Sequence, residues 1–375
     1  MALDVQERSA LAEAVRDASA SGPRDHLDDH GKPRRDERLW KLLVDQMGLG
    51  ALIAAGGPEE DSAGIAEMAL VCEQLAGNLA VVPALSTLGM AGSLLRVVAT
   101  PEADALRARV AANEVTVAVG WPDAASTRVA ATLSGAGSTE TGGALTVDGT
   151  VDFVLDGTDA DVLLVPVRVG DTEVVAAVDT GADGVTLSAM TGLDLTRGLG
   201  AFAFSGSPAT VIGPATDFAT ALDISLILIA AEQIGIAQHC HEAAVAWAKE
   251  RIQFDRPIGQ FQAIKHQLVE LLMKLELGRS ALDVAVAAAD AHLENPDGQT
   301  ARALSVAAST AKAACGDAAV VIADQSLHIL GGIGFTWEHD AHLYLRRSKV
   351  LEVYLGAPGA HRARFATLLL EDAAR

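Results

Sequence analysis

The stretch ERIQFDRPIGQFQAIKH, residues 250–266, joins two long helical periods, one over roughly 217–253 and one over roughly 261–294. Two more periods follow, over roughly 298–331 and 338–355, and a last helix starts after Gly359. The connections are short, so these segments predict an antiparallel four-helix bundle. The most apolar window, LDISLILIAAEQIGIAQ, is broken by Asp223, Ser225, Glu232 and Gln233. It predicts a helix buried on most sides. No run of about 18 uninterrupted apolar residues occurs, so no membrane span is expected.

Upstream of the bundle the period changes. Residues 114–213 hold short Val- and Thr-rich runs (VTVAV, RVAATLSG, GALTVDGTVDFVLDG, DVLLVPVRV, TEVVAAVD, AFAFSG) punctuated by Asp148-Gly149, Asp156-Gly157 and Asp183-Gly184. That pattern predicts a small antiparallel barrel or sandwich of about 100 residues. Residues 1–113 turn helical again. Leu39, Leu42, Leu43 and Met47 form one stripe, and Ile65, Met68, Ala69, Cys72 and Leu75 form another. The charged segment HLDDHGKPRRDER, residues 26–38, is expected to be a solvated connection. The expected architecture is α+β and multidomain: an N-terminal helical domain (1–113), a middle β domain (114–213) and a C-terminal helical bundle (214–375).

Composition narrows the function. Half of the 375 residues are hydrophobic, and 28 basic against 49 acidic residues leave a formal charge of −21. This balance disfavours nucleic acid and anionic membrane surfaces, although a local group of arginines can still hold an anion. The N-terminus MALDVQERSALAEAV lacks the basic start and apolar run of a signal peptide. Cys72, Cys240 and Cys315 form no CxxC pair, and the ten histidines include no HExxH. A cytoplasmic protein without a metal site is expected.

Two motifs sharpen the reading. ERIQFDRPIGQFQAIKH resembles the E-R-x-x-F-G-x-x-I-x-x-F-Q pattern of the acyl-CoA dehydrogenase family, and HILGGIGF, residues 328–335, resembles that family's Q-x-x-G-G-x-G-F. The likeness continues through RRSKVLEVYLGAPGAHR, residues 346–362, and the order of the three segments agrees with it. The resemblance implies FAD bound at a subunit interface. It places Arg251 at the phosphates, where a planar donor fork suits an anion. Gln253 and Phe254 match residues beside that arginine, and Gln262 the adenosine side. Gly331 and Gly332 match glycines that let backbone approach the cofactor of a neighbouring subunit, and His328 stands where the family carries Gln. Taken singly, Arg251 reads as an exposed helix-end charge, GGIG as a helix stop and Phe254 as a core residue.

The family's chemistry needs a carboxylate to take a proton from Cα of an acyl-CoA thioester. By resemblance its usual place is Leu355. In other members the base sits on the first bundle helix in a pattern like L-D-x-E-R; here Asp223 matches the aspartate, Ser225 occupies the base position and Leu226 the basic one. Glu232 lies two turns beyond Ser225, roughly 10 Å along the helix, and Glu352 one turn before Leu355; both are candidates for a relocated base. The loop that usually reads T-E-P is VGWPDAAS, so Gly120 and Trp121 replace its hydroxyl and carboxylate, and Trp121 either stacks near the flavin or plugs the space. Ala357 and Gly359 replace the polar pair after the base. The resemblance thus implies an FAD-dependent acyl-CoA dehydrogenase or a subunit of one. The alternative is a catalytically silent, structural or FAD-completing subunit of a heteromer in steroid or lipid catabolism. Expected partners are an acyl-CoA substrate, further subunits of the same or another chain, and electron-transfer flavoprotein.

Overall fold

A computed structural model describes residues 3–27, 32–54, 64–121 and 132–373. Helix α1 (Val5–Ala18) starts at a capping box in which Asp4 accepts from the Gln6 and Glu7 amides. Helix α2 (Glu37–Lys41) is capped by Asp36, whose other oxygen meets His26 at 2.9 Å, and runs on as a π-helical turn over Leu42–Gln46. Residues 28–31 of the expected charged connection lie outside the described residues. Helices α3 (Ala51–Ala54), α4 (Ile65–Gly77), α5 (Gly92–Val98) and α6 (Pro101–Ala111) follow, with a fully buried π-helical segment, Ala84–Ala91, ahead of α5.

The β region comprises β1 (Val117–Val119), β2 (Thr132–Gly137), β3 (Ala144–Leu155), β4 (Val162–Val169), β5 (Thr172–Asp179), β6 (Val185–Met190) and β7 (Leu199–Pro214). β2 pairs with β3, β3 with β7, β7 with β5 and β5 with β4, all antiparallel; β4 meets β2 again through Ser134 and Arg168, which closes the barrel. Two pairings depart from the expected antiparallel arrangement. β1 runs parallel to β4, and the β2–β4 contact is parallel as well. Inward-facing Val147, Val151, Leu163, Val165, Val167, Val178, Phe202 and Val211 fill the interior as a separate apolar cluster.

Helix α7 (Phe218–Glu250) leads into a small hairpin, β8 (Ile252–Gln253) and β9 (Arg256–Pro257), then α8 (Gln262–Glu294) and α9 (Gly298–Leu330). A 3-10 segment, Gly331–Phe335, precedes α10 (Ala341–Val353) and α11 (Pro358–Ala373). The long helices lie close to their expected spans. The hairpin does not follow from the periodicity: Phe254 and Asp255 both adopt left-handed backbone, with φ of 54° and 61°, as a two-residue turn of this kind demands.

α7 is the central rod. It is apolar around most of its circumference, so it packs against α4, α8, α9 and α10 at once. Gly235 permits the α4 contact: a Cβ there would lie 2.0 Å from the Glu73 carbonyl oxygen. Phe218–Glu250 and Gly298–Phe335 are long and apolar enough to cross a membrane, and 83% and 56% of their apolar windows are buried inside the molecule. One continuous core joins the N-terminal helices to the bundle, through Leu75, Leu85, Ile227, Ile234, Leu275 and Ile322.

Cys72, Cys240 and Cys315 are buried and unpaired. Burial pushes the Cys240 and Cys315 thiols up to about 12 and raises Cys72 further, with the Glu232 carboxylate adding to the effect there. A disulfide-exchange reagent is therefore expected to label none of the three in the native protein and all three in denaturant. Rapid labelling of the native chain would contradict this.

Candidate active site

The turn between α10 and α11 carries Leu355. α10 ends at Val353, Tyr354 turns to extended backbone, and Leu355 adopts φ 55° ahead of Gly356 at φ 112°. A branched side chain in left-handed backbone is strained and persists only when its surroundings fix it. Here they do. The buried Lys312 of α9 donates to the Glu352 carbonyl at 2.9 Å and to the Gly356 carbonyl at 3.1 Å. The buried His361 of α11 contacts the Leu355 carbonyl through Nε2 at 3.0 Å. Burial lowers the Lys312 ammonium to about 7, with Glu352 opposing, and burial together with Lys312 lowers His361 to about 4.

The other base positions are engaged elsewhere. Ser225 is buried and donates to the Ala221 carbonyl of its own helix at 2.7 Å. Glu232 is buried and paired with Arg197, which lies just ahead of β7. Glu352 is half-buried and reaches Lys349 at 3.5 Å.

Arg197 belongs to a buried charged cluster where the barrel meets α7 and α10. Arg347 of α10 reaches Asp194 at 3.2 Å and donates to the Thr196 hydroxyl at 2.9 Å and carbonyl at 3.0 Å. Asp156 accepts from Ser86 at 2.8 Å; burial pushes its carboxyl up to about 6 although Arg197 draws it down. Two arginines against Asp156, Asp194 and Glu232 leave the cluster one charge short of neutral when all are ionised.

The residues matched to a cofactor lie on the outside of the bundle. Arg251 follows the last residue of α7 and is exposed, with its guanidinium 5.7 Å from the centre of the Trp247 ring; among the described residues no carboxylate pairs with it. Gln253 and Gln262 are exposed, and Phe254 is 85% exposed at the hairpin tip, in edge contact with Phe261. At the end of α9, His328 is exposed and bonded to the Asp324 carbonyl at 2.9 Å. Gly331, at φ 70°, and Gly332 have no atom within 4 Å of where a Cβ would stand. A hydrogen bond of 2.7 Å from Gln267 to Gln325 brings the start of α8 and the end of α9 to the same end of the bundle. The exposed Arg251 guanidinium, which pairs with no carboxylate among the described residues, suits a phosphate, and the unobstructed backbone at Gly331 and Gly332 suits close approach by another group. Trp121 stands apart from this surface. It is buried and packs edge-on against Phe218 at 5.2 Å, between the barrel and α7, and its indole Nε1 has no partner among the described residues. Residues 122–126 of its loop lie outside the described residues.

Residues 216–370 match the family model of the acyl-CoA dehydrogenase C-terminal domain. The chain is 31% identical over 319 residues to the acyl-CoA dehydrogenase IpdE2 of Mycobacterium tuberculosis, a match covering 84% of this chain and 80% of that protein. The chain belongs to the acyl-CoA dehydrogenase family. Over 224 residues, 60% of its length, it is 38% identical to the acyl-CoA dehydrogenase FadE34 of M. tuberculosis, and the match spans 30% of that protein. The fold is also that of the ChsE4-ChsE5 complex from M. tuberculosis, with a TM-score of 0.83, 24% identity and 98% of each chain covered.

Around Leu355 the described residues place main-chain carbonyls, the Lys312 amine and the His361 imidazole; the nearby carboxylates are Glu352, which reaches Lys349, and Asp156, which lies within electrostatic reach of Tyr354 and accepts from Ser86. Sequence reasoning missed Arg197, Lys312, Arg347 and His361. Lys312 had a visible signal: it interrupts the small apolar run STAKAACGDAAVVIA, on a helix face that must be buried.

Proposed function

We propose that this chain is a subunit of an FAD-dependent acyl-CoA dehydrogenase, supplies no general base of its own, and works in a heteromer with a base-carrying chain that performs the α,β-dehydrogenation. The observation that carries this reading is leucine at position 355 on a fully braced turn, with Ser225 and Glu232 both engaged elsewhere. When bound, FAD supplies the hydride acceptor. Arg251, Gln253, Phe254 and Gln262 would hold its diphosphate and adenosine, and Gly331 and Gly332, with His328 beside them, would face the cofactor of a neighbouring subunit.

Association is supported by α8. It buries Leu271, Leu275, Leu282, Ala285 and Ala289 against the bundle but leaves Val269, Met273, Leu277 and Val284 exposed at helical spacing on another face. The two-chain ChsE4-ChsE5 complex has the same fold and supports a heteromer. A lipid or steroid acyl-CoA thioester is the substrate class proposed for the assembly.

The test is to express the chain alone and with a base-carrying family member, then to count FAD per chain and follow flavin bleaching by acyl-CoA without oxygen. The expected result is no bleaching by the chain alone and one FAD per pair of unlike chains. A homo-oligomer of this chain with one FAD per chain, bleached by an acyl-CoA, would overturn the reading.

A further inference from the structure

We infer that Lys312 and His361 are positioning residues that hold residue 355 in place whatever side chain it carries. The α10–α11 turn has three carbonyls in a row of five residues tied by two buried side chains from different helices: Glu352 and Gly356 to Lys312, Leu355 to His361. Capping of a helix end accounts for the Glu352 bond alone, since a cation near the last carbonyls of α10 stabilises them. It does not account for Gly356 and Leu355, which lie beyond the helix.

Retaining a lysine there is costly. Lys312 is fully buried, and its hydrogen bonds go to neutral carbonyls, so the ammonium loses its hydration without a bonded counter-charge. A methionine would fill the same space at lower cost. What the amine adds is two directed bonds that bracket a strained residue. His361 completes the bracket from α11, and its second ring nitrogen has no partner among the described residues. The bracket touches only backbone, so it fixes where side chain 355 starts without depending on its chemistry. By the reading above, 355 is the base position. The seat of a base is therefore intact in a chain that places leucine on it.

Hydrogen exchange read by mass spectrometry tests this on the isolated full chain, without cofactor, acyl-CoA or partner, so its outcome is separate from that of the functional reading. Lys312→Met keeps the volume and removes both donors. The expected result is exchange at the Tyr354 and Gly356 amides faster by roughly tenfold or more, with α8 unchanged. His361→Leu, which leaves α9 intact, is expected to act in the same direction and serves if Lys312→Met does not fold. Leu355→Gln, with the shape of a glutamate, is expected to leave the turn as protected as in the parent chain. Unchanged turn exchange in both bracket variants would overturn the inference, as would an increase spread evenly over α8 to α11. So would a Leu355→Gln variant that frees the turn by itself.

Discussion

Arg197→Met is expected to destabilise the protein by about 3–5 kcal/mol, because it leaves the buried Glu232 carboxylate without its partner. The neighbouring Asp156 aggravates the loss. It too is buried, and Arg197 is the positive charge that draws its carboxyl down. The double variant Arg197→Met/Glu232→Leu is expected to recover most of that loss, since an apolar pair of similar volume avoids the desolvation of both charges. Urea unfolding of the parent, both single variants and the double variant gives the coupling energy. If the two single losses simply add in the double variant, the pair is not a coupled unit and the description of the cluster is wrong.

The second large effect is a pH dependence set by Lys312. Unfolded, its amine holds a proton to about 10.5; folded, burial lets it go at about 7. Between those values the unfolded chain binds more protons, so stability contributed by this group rises as pH rises through the interval. Below about 7 the folded protein carries the full cost of a buried ammonium. Each tenfold difference in proton affinity is worth about 1.4 kcal/mol, so the rise amounts to several kcal/mol. Lys312→Met is expected to remove this rise, read as the parent-minus-variant difference in urea midpoints from pH 7 to pH 10, which cancels the opposing fall from the buried Cys72, Cys240 and Cys315 thiols. An unchanged slope in the variant would refute the assignment. At lower pH two groups oppose each other. His361, lowered to about 4, makes stability rise with pH from about 4 to its ordinary 6.5, whereas Asp156, raised from 3.8 to about 6, makes it fall over much of the same range.

The helices and the order of the three segments were legible because a 3.6-residue period sustained over 30 or more residues has few competing explanations. By resemblance, Leu355 is reached by counting forward from Phe335, and Ser225 is matched through the Leu222-Asp223 pair just ahead of it. The Phe254-Asp255 turn was hidden, since neither residue advertises left-handed backbone as Asn-Gly does. The bracket and the charged cluster were hidden for another reason. Their partners lie far apart in sequence, as with Arg197 and Glu232, Lys312 and Gly356, or Asp194 and Arg347, and no local period encodes which buried charges will meet. A lone lysine in an alanine-rich helix announces that something polar waits opposite it, but not what.

The central position of α7 also orders events during synthesis. The barrel's apolar cluster is complete within residues 118–211, so the barrel can close as soon as that length has left the ribosome. The first helices cannot do the same. Their core faces include Leu75 and Leu85, which share one apolar cluster with Ile227 and Ile234 of α7, so their burial is completed when the segment beyond Phe218 arrives. The first third of the chain therefore waits, with its apolar faces open, for a rod translated more than a hundred residues after it.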